Sequence, residues 1–456
     1  MKMRLFVMVL AMLALLSACR KEQASVEQGA VPTTVPVTVD IGGTVLKPDT
    51  AALDLQTMEF DLDKLVAAAP ELKAVTEIEL GATTLSYEQV EAIRGAFPDA
   101  EVRYSVQLFG QTVEADAQSL DLRDMTAEQT QELYDVLPLM PQLQQINFVK
   151  EDGSCVYGIE EIGMLDQLRE RAPEVSFRVK FELFGQTVSS EDTRIEYYLV
   201  PIGNEGEPQV RAVLPYLTAC EYFLLDGCGI DNEIMAQLRS DFPETKIVWR
   251  VWIREPNYDS PRFMRRAGFL TDTQRIRTTL VNDSNCDVLK YCTEVKYVDF
   301  GHNLEISDFS FLGYMPELEA AILSLTGISD LTPLMNCPKL EYLEVFTTEV
   351  TDLSPLASCT SLEHLNISNL PGVTDLTPLY NLTNLKRLRM VMLPQITKEQ
   401  ISEVAQHLPN CDVLMAGWDP TENGWRYDEK GNRVPRYELL REQMEYDIDR
   451  EVYDIQ

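Results

Sequence analysis

The chain has 456 residues, with 39 Lys plus Arg against 73 Asp plus Glu, for a formal net charge of −34. A field of that sign repels phosphate, so nucleic acid is not an expected partner, and cationic or neutral partners are favoured. The three histidines lie far apart, and there is no C-x-x-C pair, Walker loop, G-x-S-x-G or Rossmann glycine pattern, so no metal, cofactor or enzymatic centre is expected.

In chain order, Lys2 and Arg4 precede an apolar run, Leu5 to Leu16, that is too short to span a bilayer comfortably. Leu16-Ser17-Ala18-Cys19 has the form of a lipobox, where bacteria attach diacylglycerol to Cys and cut before it. Residues 1–18 therefore read as a lipoprotein signal peptide and Cys19 as the lipidation site. The alternative is an ordinary signal peptide with an incidental Cys. Residues 19–36 are polar and read as a flexible tether. No later segment has the length of a transmembrane helix. The chain is thus expected on the outside of a cell membrane, anchored there only by its N-terminal lipid.

Residues 37–254 read as about three long β-α units. Leu108-Phe109-Gly110-Gln111-Thr112-Val113 returns as Leu183-Phe184-Gly185-Gln186-Thr187-Val188, and Ile41-Gly42-Gly43-Thr44-Val45 looks like a worn copy. Gly followed by one polar residue between two apolar runs predicts two-residue hairpins, with the Gly at positive φ. Strand phrases such as Val75-x-x-Ile78-x-Leu80 and Leu143-x-x-Ile146-x-Phe148 alternate with amphipathic segments at Thr126–Leu137 and Ile159–Arg171. Thr126 with Gln129 suits a capping box. Alternating strands and helices predict a mainly parallel sheet, either continuous with the repeats that follow or a separate α/β domain. Residues 255–285 form an Arg-rich connector carrying Arg262, Arg265, Arg266, Arg275 and Arg277, just after Arg254. These arginines either pair with neighbouring acidic surface or offer a site for an anionic polymer.

Residues 286–417 carry a shorter repeat. The phrases SDFSFL, SDLTPL, TDLSPL and TDLTPL start at Ser307, Ser329, Thr351 and Thr374, that is 22, 22 and 23 residues apart. Strand stretches beginning at Val295, Leu318, Leu340, Leu362 and Leu385 lie between them, apolar at the first, fourth and sixth places. Such a period means stacked units that bury one another's apolar positions. Ser/Thr before Pro suits a short helical turn capped by the hydroxyl. Cys292, Cys337, Cys359 and Cys411 each precede a strand by three residues, where Met315 and Leu382 stand in other units, so the slot is apolar and its thiols free. Cys220–Cys228 and Cys286–Cys292 stay open as bridges.

This arrangement, L-x-x-L-x-L, a gap, then [ST]-D-[LF]-[ST]-x-L, resembles the leucine-rich repeat of bacterial internalin-like surface proteins over about Cys286 to Gly417. The family's Asn after the strand is replaced by Thr326 and Thr348, while Asn303 and Asn369 lie in units with an extra residue. The expected fold is an α/β leucine-rich-repeat solenoid with a parallel sheet, preceded by longer β-α units with β-hairpins. Residues 418–456 are read as a cap, with Tyr437, Leu440, Met444, Ile448 and Val452 on one helical stripe covering the open end of the solenoid. A docking peptide is the alternative.

Alternation along each strand turns three columns away from the core. They run Tyr297, Ala320, Tyr342, His364, Arg387, then Asp299, Ile322, Glu344, Asn366, Arg389, then Gly301, Ser324, Phe346, Ser368, Val391. Tyr297, Asp299, Tyr342, Glu344, Phe346, His364, Asn366, Arg387 and Arg389 are the expected binding residues for a protein or glycan, and His364 is expected to make binding depend on pH between about 5 and 7. The function that follows is a lipid-anchored surface binding protein. The alternatives are a spacer or envelope component without a specific ligand and, behind it, a glycan hydrolase.

Overall fold

The computed structural model describes residues 38–254 and 266–447. The expected signal peptide, Cys19, the tether, Arg262, Arg265, Ile448 and Val452 lie outside these residues. The chain divides into two compact units: the described residues through Gln107 with Thr112–Glu114, and Leu108–Gln111 with the chain from Ala115.

In the first unit, Gly42 and Gly43 at φ 105° and 138° turn a small hairpin between Val39–Asp40 and Val45–Leu46. A sheet of Ala52–Asp54, Glu77–Thr83, Glu101–Leu108 and Gln111–Glu114 follows, its first three strands parallel. Helices Leu62–Ala68 and Tyr87–Ala96 are the crossovers. Each starts on a side-chain cap: Asp61 accepts from Lys64 N, and Ser86 and Gln89 close a capping box.

The second unit repeats that order. Parallel strands Ser119–Asp121, Gln145–Asn147 and Ser176–Arg178 lead into the hairpin Lys180–Leu183/Gln186–Ser189. Parallel strands Arg194–Tyr198, Tyr222–Asp226 and Lys246–Arg254 come next, with Arg266–Leu270 antiparallel on the last. The two identical hairpin phrases turn one residue earlier than expected. The loop is Phe-Gly, not Gly-Gln, with Phe109 and Gly110 at φ 52° and 75° and Phe184 and Gly185 at 50° and 81°. Positive φ at both central residues is the turn whose twist matches that of paired strands, and this outweighs the strain on Phe.

The repeat sheet has seven strands in sequence order, all parallel: Arg275–Arg277, Tyr297–Asp299, Ala320–Ile322, Tyr342–Glu344, His364–Asn366, Arg387–Arg389 and Asp412–Leu414. It begins at Arg275, inside the stretch read as a connector. Val298, Ala321, Leu343, Leu365 and Leu388 form the buried row at the strand centres. Short 3₁₀ turns such as Thr332–Asn336 and Ser354–Ser358 connect the strands. Their caps differ from expectation. The hydroxyl does not cap; the Asp before it does, with Asp330 Oδ1 taking Thr332 N at 2.8 Å and Asp352 Oδ1 taking Ser354 N at 2.8 Å. A carboxylate two residues ahead reaches that N–H without straining the turn. The chain leaves successive strands through a left-handed residue at one repeat place: His302, Leu325, Thr347, Asn369 and Met392.

The Cys slot is buried at Cys292, Cys337 and Cys359 and half-buried at Cys411, and Cys337 and Cys359 Sγ donate to Leu312 O and Leu334 O at 3.4 and 3.5 Å. Burial pushes these thiols up, Cys337 to about 12 and Cys359 to about 11. The eight cysteines among the described residues are free thiols, including both pairs left open by the sequence.

Candidate functional site

Strand pairing sets Tyr297, Ala320, Tyr342, His364 and Arg387 side by side, with Asp299, Ile322, Glu344, Asn366 and Arg389 in the next row. All nine expected binding residues therefore stand on the face opposite the core or just beyond the strand ends. Six of them do not meet solvent as expected, and Tyr297, Asp299 and Arg387 are half-buried. Tyr342, Glu344, Phe346, His364, Asn366 and Arg389 are buried. The cover is the C-terminal segment, which crosses the sheet face from the last strands back to the first instead of closing the solenoid end.

The strap, residues 418–447, has its own local structure. Asp428 Oδ1 accepts from Lys430 N and Asn432 N, both at 2.8 Å, and turns the chain so that Tyr427 pairs with Arg433. Pro435 opens the helix Pro435–Gln443, where its missing N–H is harmless. Tyr437, Leu440 and Met444 of the expected stripe are buried against Ala320, Ile322 and Tyr342 together with Trp425.

The contacts follow the columns. Arg389 Nη2 donates to Asp419 O at 2.7 Å and Asn366 Nδ2 to Pro420 O at 3.0 Å. At mid-face, Glu344 is the common acceptor. Trp425 Nε1 donates to its Oε1 at 2.7 Å, Arg426 Nε donates to the same oxygen at 3.0 Å, Arg426 Nη2 binds Oε2, and the Tyr342 hydroxyl also donates to Oε1. The Trp425 ring lies 5.5 Å from Tyr342 and 6.4 Å from His364, with Arg387 5.5 Å above it. At the first strands, Tyr446 donates to Asp299, Gln443 Nε2 to Tyr297 OH at 3.3 Å, and Glu445 pairs with Arg275. Arg277 stacks 5.0 Å over Tyr446. Arg275 and Arg277, read as part of a connector, thus hold the strap's end.

Burial shapes the ionisation. It drives the Tyr342 phenol far above its usual range, and the Glu344 charge adds to that. Burial opposes the charge of Arg426, but Glu344 outweighs it and keeps the guanidinium protonated. Burial raises the Asp299 carboxyl although Tyr446 donates to it. Burial first, then the charges of Arg436, Arg387 and Lys386, lowers His364 to about 3. The ring is therefore neutral throughout pH 5–7, and the expected switch in that range is absent from this folded state. Among the described residues, His364 Nδ1, Ser324 Oγ, and Arg389 Nε and Nη1 have no protein hydrogen-bond partner on this face.

Sequence reading missed Trp425, Arg426, Leu440 and Tyr446 as partners of the face. The available signal was the density of Trp, Tyr and Arg after Gly417. No helix among the described residues is long and apolar enough to cross a membrane, and no group of three or more His, Cys, Asp or Glu among them could hold a metal.

No family model matches the chain. No curated protein matches it either. Among solved structures, internalin C2 of Listeria monocytogenes is similar at 24% identity, over 29% of this chain and 69% of its own, with a TM-score of 0.23. A second internalin of that organism matches at 14% identity over 80% and 88% of the two chains, with a TM-score of 0.26. A leucine-rich-repeat protein of Leptospira interrogans matches at 15% identity over 80% and 96%, with a TM-score of 0.30. The chain's own parallel sheet, gaining one strand and one connecting turn or helix per repeat, is that of an α/β leucine-rich-repeat solenoid.

Proposed function

We propose that this chain is a binding protein displayed on the outside of a bacterial cell membrane by a lipid on Cys19, and that its repeat sheet face recognises polypeptide. The supporting observation is Glu344, fully buried on that face, receiving an indole N–H and a guanidinium from the chain's own strap. The strap serves as a ligand in cis, and a protein carrying exposed Trp or Tyr beside Arg is the kind of partner that takes its place. Protein is favoured over glycan here because neutral glycans lack both an indole N–H and a guanidinium. Backbone-to-backbone hydrogen bonds of the strap, among the described residues, close within the strap itself. It is held by side chains and can leave without breaking a sheet ladder.

The second reading, a spacer with a permanently sealed face, is favoured by the depth of burial of Glu344 and Leu440. Native-state hydrogen exchange separates the two. Strap amides that exchange well before those of the repeat sheet support recognition with displacement. Strap amides that exchange only on global unfolding support the spacer. A labelled peptide of residues 418–447 should also bind a chain whose own strap carries Trp425→Ala and Arg426→Ala, and should fail to bind when Glu344→Ala is added.

A further inference from the structure

The repeat sheet ends on an open edge. Its last strand, Asp412–Leu414, pairs with Arg387–Arg389 on one side only. Asp412 N donates to Lys386 O at 2.8 Å and Leu414 O accepts from Met390 N at 3.0 Å, so these two residues turn their backbone groups into the sheet. By alternation, the N–H and C=O of Val413, the N–H of Met415 and the C=O of Cys411 point away from it. None of these groups has a backbone partner among the described residues. We propose that this edge pairs with the same edge of a second copy of the chain, antiparallel about a two-fold axis at Val413. The product is a closed dimer with one repeat sheet running through both copies, and it does not require the strap to leave its face.

The core is unfinished at this edge. Leu365 and Leu388 are fully buried in the central row, whereas Val413, next in that row, is half-buried, as are Cys411 and Leu414. Just beyond, Met415 is 42% and Trp418 75% exposed. The strap that was expected to close this end lies on the sheet face instead. Residues 411–415 hold no proline, lysine or bulge to blunt the edge, and Asp412 is their only charge.

The edge is complementary to itself. With Val413 opposite Val413 of the second copy, the two exchange N–H to C=O bonds in both directions. Each Met415 N–H then reaches Cys411 O of the other copy. Asp412 faces Leu414 of the second copy and not its own like charge. A foreign segment would have to be ordered into an extended strand first, whereas a second copy presents one already formed. The two-fold contact uses up both edges and stops there. The other end of the sheet is covered by the preceding α/β unit, where Arg239 Nη1 donates to Tyr291 O at 3.1 Å and Lys246 Nζ to Glu294 Oε2 at 2.7 Å. A closed pair therefore follows, not a filament. The net charge of −34 on each copy opposes the approach, so salt should favour it.

The test is sedimentation equilibrium of the full-length chain in density-matched detergent with micelles in excess, beside hydrogen exchange at low and high protein concentration. A reversible monomer–dimer equilibrium is expected, tightening with added salt, with the Val413 and Met415 amides more protected at high concentration. Val413→Pro removes an N–H that the chain's own ladder does not use, and should weaken association about tenfold or more. Met415→Asp should act in the same direction by bringing a charge into the contact. It alters an exposed side chain and guards against a proline variant that does not fold. A chain that stays monomeric at every concentration, open-ended oligomers, dimers equally stable in both variants, or amides at 413 and 415 indifferent to concentration would each overturn the proposal.

Discussion

Replacing Glu344 by alanine should free the strap. The substitution strips the acceptor from Trp425 Nε1, from both contacting nitrogens of Arg426 and from the Tyr342 hydroxyl at once. Removing one partner of a buried pair costs about 3–5 kcal/mol, because the other charge stays buried without compensation. The Arg426 side chain keeps 17% of its surface in water while that of Glu344 keeps none, which favours the lower end, about 3 kcal/mol. The loss cannot exceed the free energy that docks the strap, since an undocked Arg426 is hydrated again. Glu344→Gln keeps the shape and one acceptor and should cost less. Glu344→Leu combined with Arg426→Met should recover most of the loss, because a shape-matched apolar pair needs no desolvated charge. Hydrogen exchange over residues 418–447, read beside urea unfolding followed by tryptophan fluorescence, measures both local and global effects. A cost below about 1 kcal/mol, with strap amides as protected as in the parent, would show that Glu344 does not hold the strap.

Leu440→Ala, which truncates a fully buried strap residue, should cost about 2–5 kcal/mol, whereas Leu439→Ala at the half-exposed neighbour should stay within about 0.5 kcal/mol in the same denaturation assay. His364 should make stability fall with acid. Its folded value of about 3 lies below the ordinary 6.5, so from about pH 6.5 down the unfolded chain takes up a proton that the folded chain refuses. The loss is about 1.4 kcal/mol per pH unit, roughly 2 kcal/mol between pH 6.5 and 5, and His364→Leu should flatten that slope in a urea series. A slope unchanged in the variant would refute it. Cys19→Ala should abolish acyl labelling and move the protein out of the detergent phase; equal label in the variant would remove the anchor from the proposal.

What the sequence made legible was what repeats. Leu340, Leu343 and Val345 recur at fixed places in unit after unit, so strand, register and outward columns follow from one rule, and the pairing of Tyr342 with His364 and of Glu344 with Asn366 is that rule in space. The cover was not legible. Glu344 and Arg426 are 82 residues apart, and no local periodicity links them. The Tyr437, Leu440 and Met444 stripe says that a face must be buried and leaves open which one; a solenoid end and a sheet face are equally apolar answers. The hairpins and caps failed for smaller reasons. Phe at positive φ is rare enough to be discounted from sequence, and in SDLTPL the Asp and the hydroxyl two residues on are both chemically able to take the turn's N–H.

The groups under the strap bear on whether it is there for good. An interior selected only for stability has little use for a fully buried Glu344, or for Arg389, His364 and Ser324, whose Nε and Nη1, Nδ1 and Oγ lack protein partners among the described residues. Each polar group buried without a partner costs about 1–3 kcal/mol, and apolar residues of similar volume would pack the same space without that loss. The middle row, Val298, Ala321, Leu343, Leu365 and Leu388, shows that this chain fills a core with apolar residues where a core is all that is needed. The outward columns instead keep Tyr342, Arg387 and Arg389 beside Glu344, and Tyr and Arg are the residues in which recognition surfaces concentrate energy. A strap docked through side chains, over a face that retains unpaired donors and acceptors, fits a face used in two states better than a sealed one.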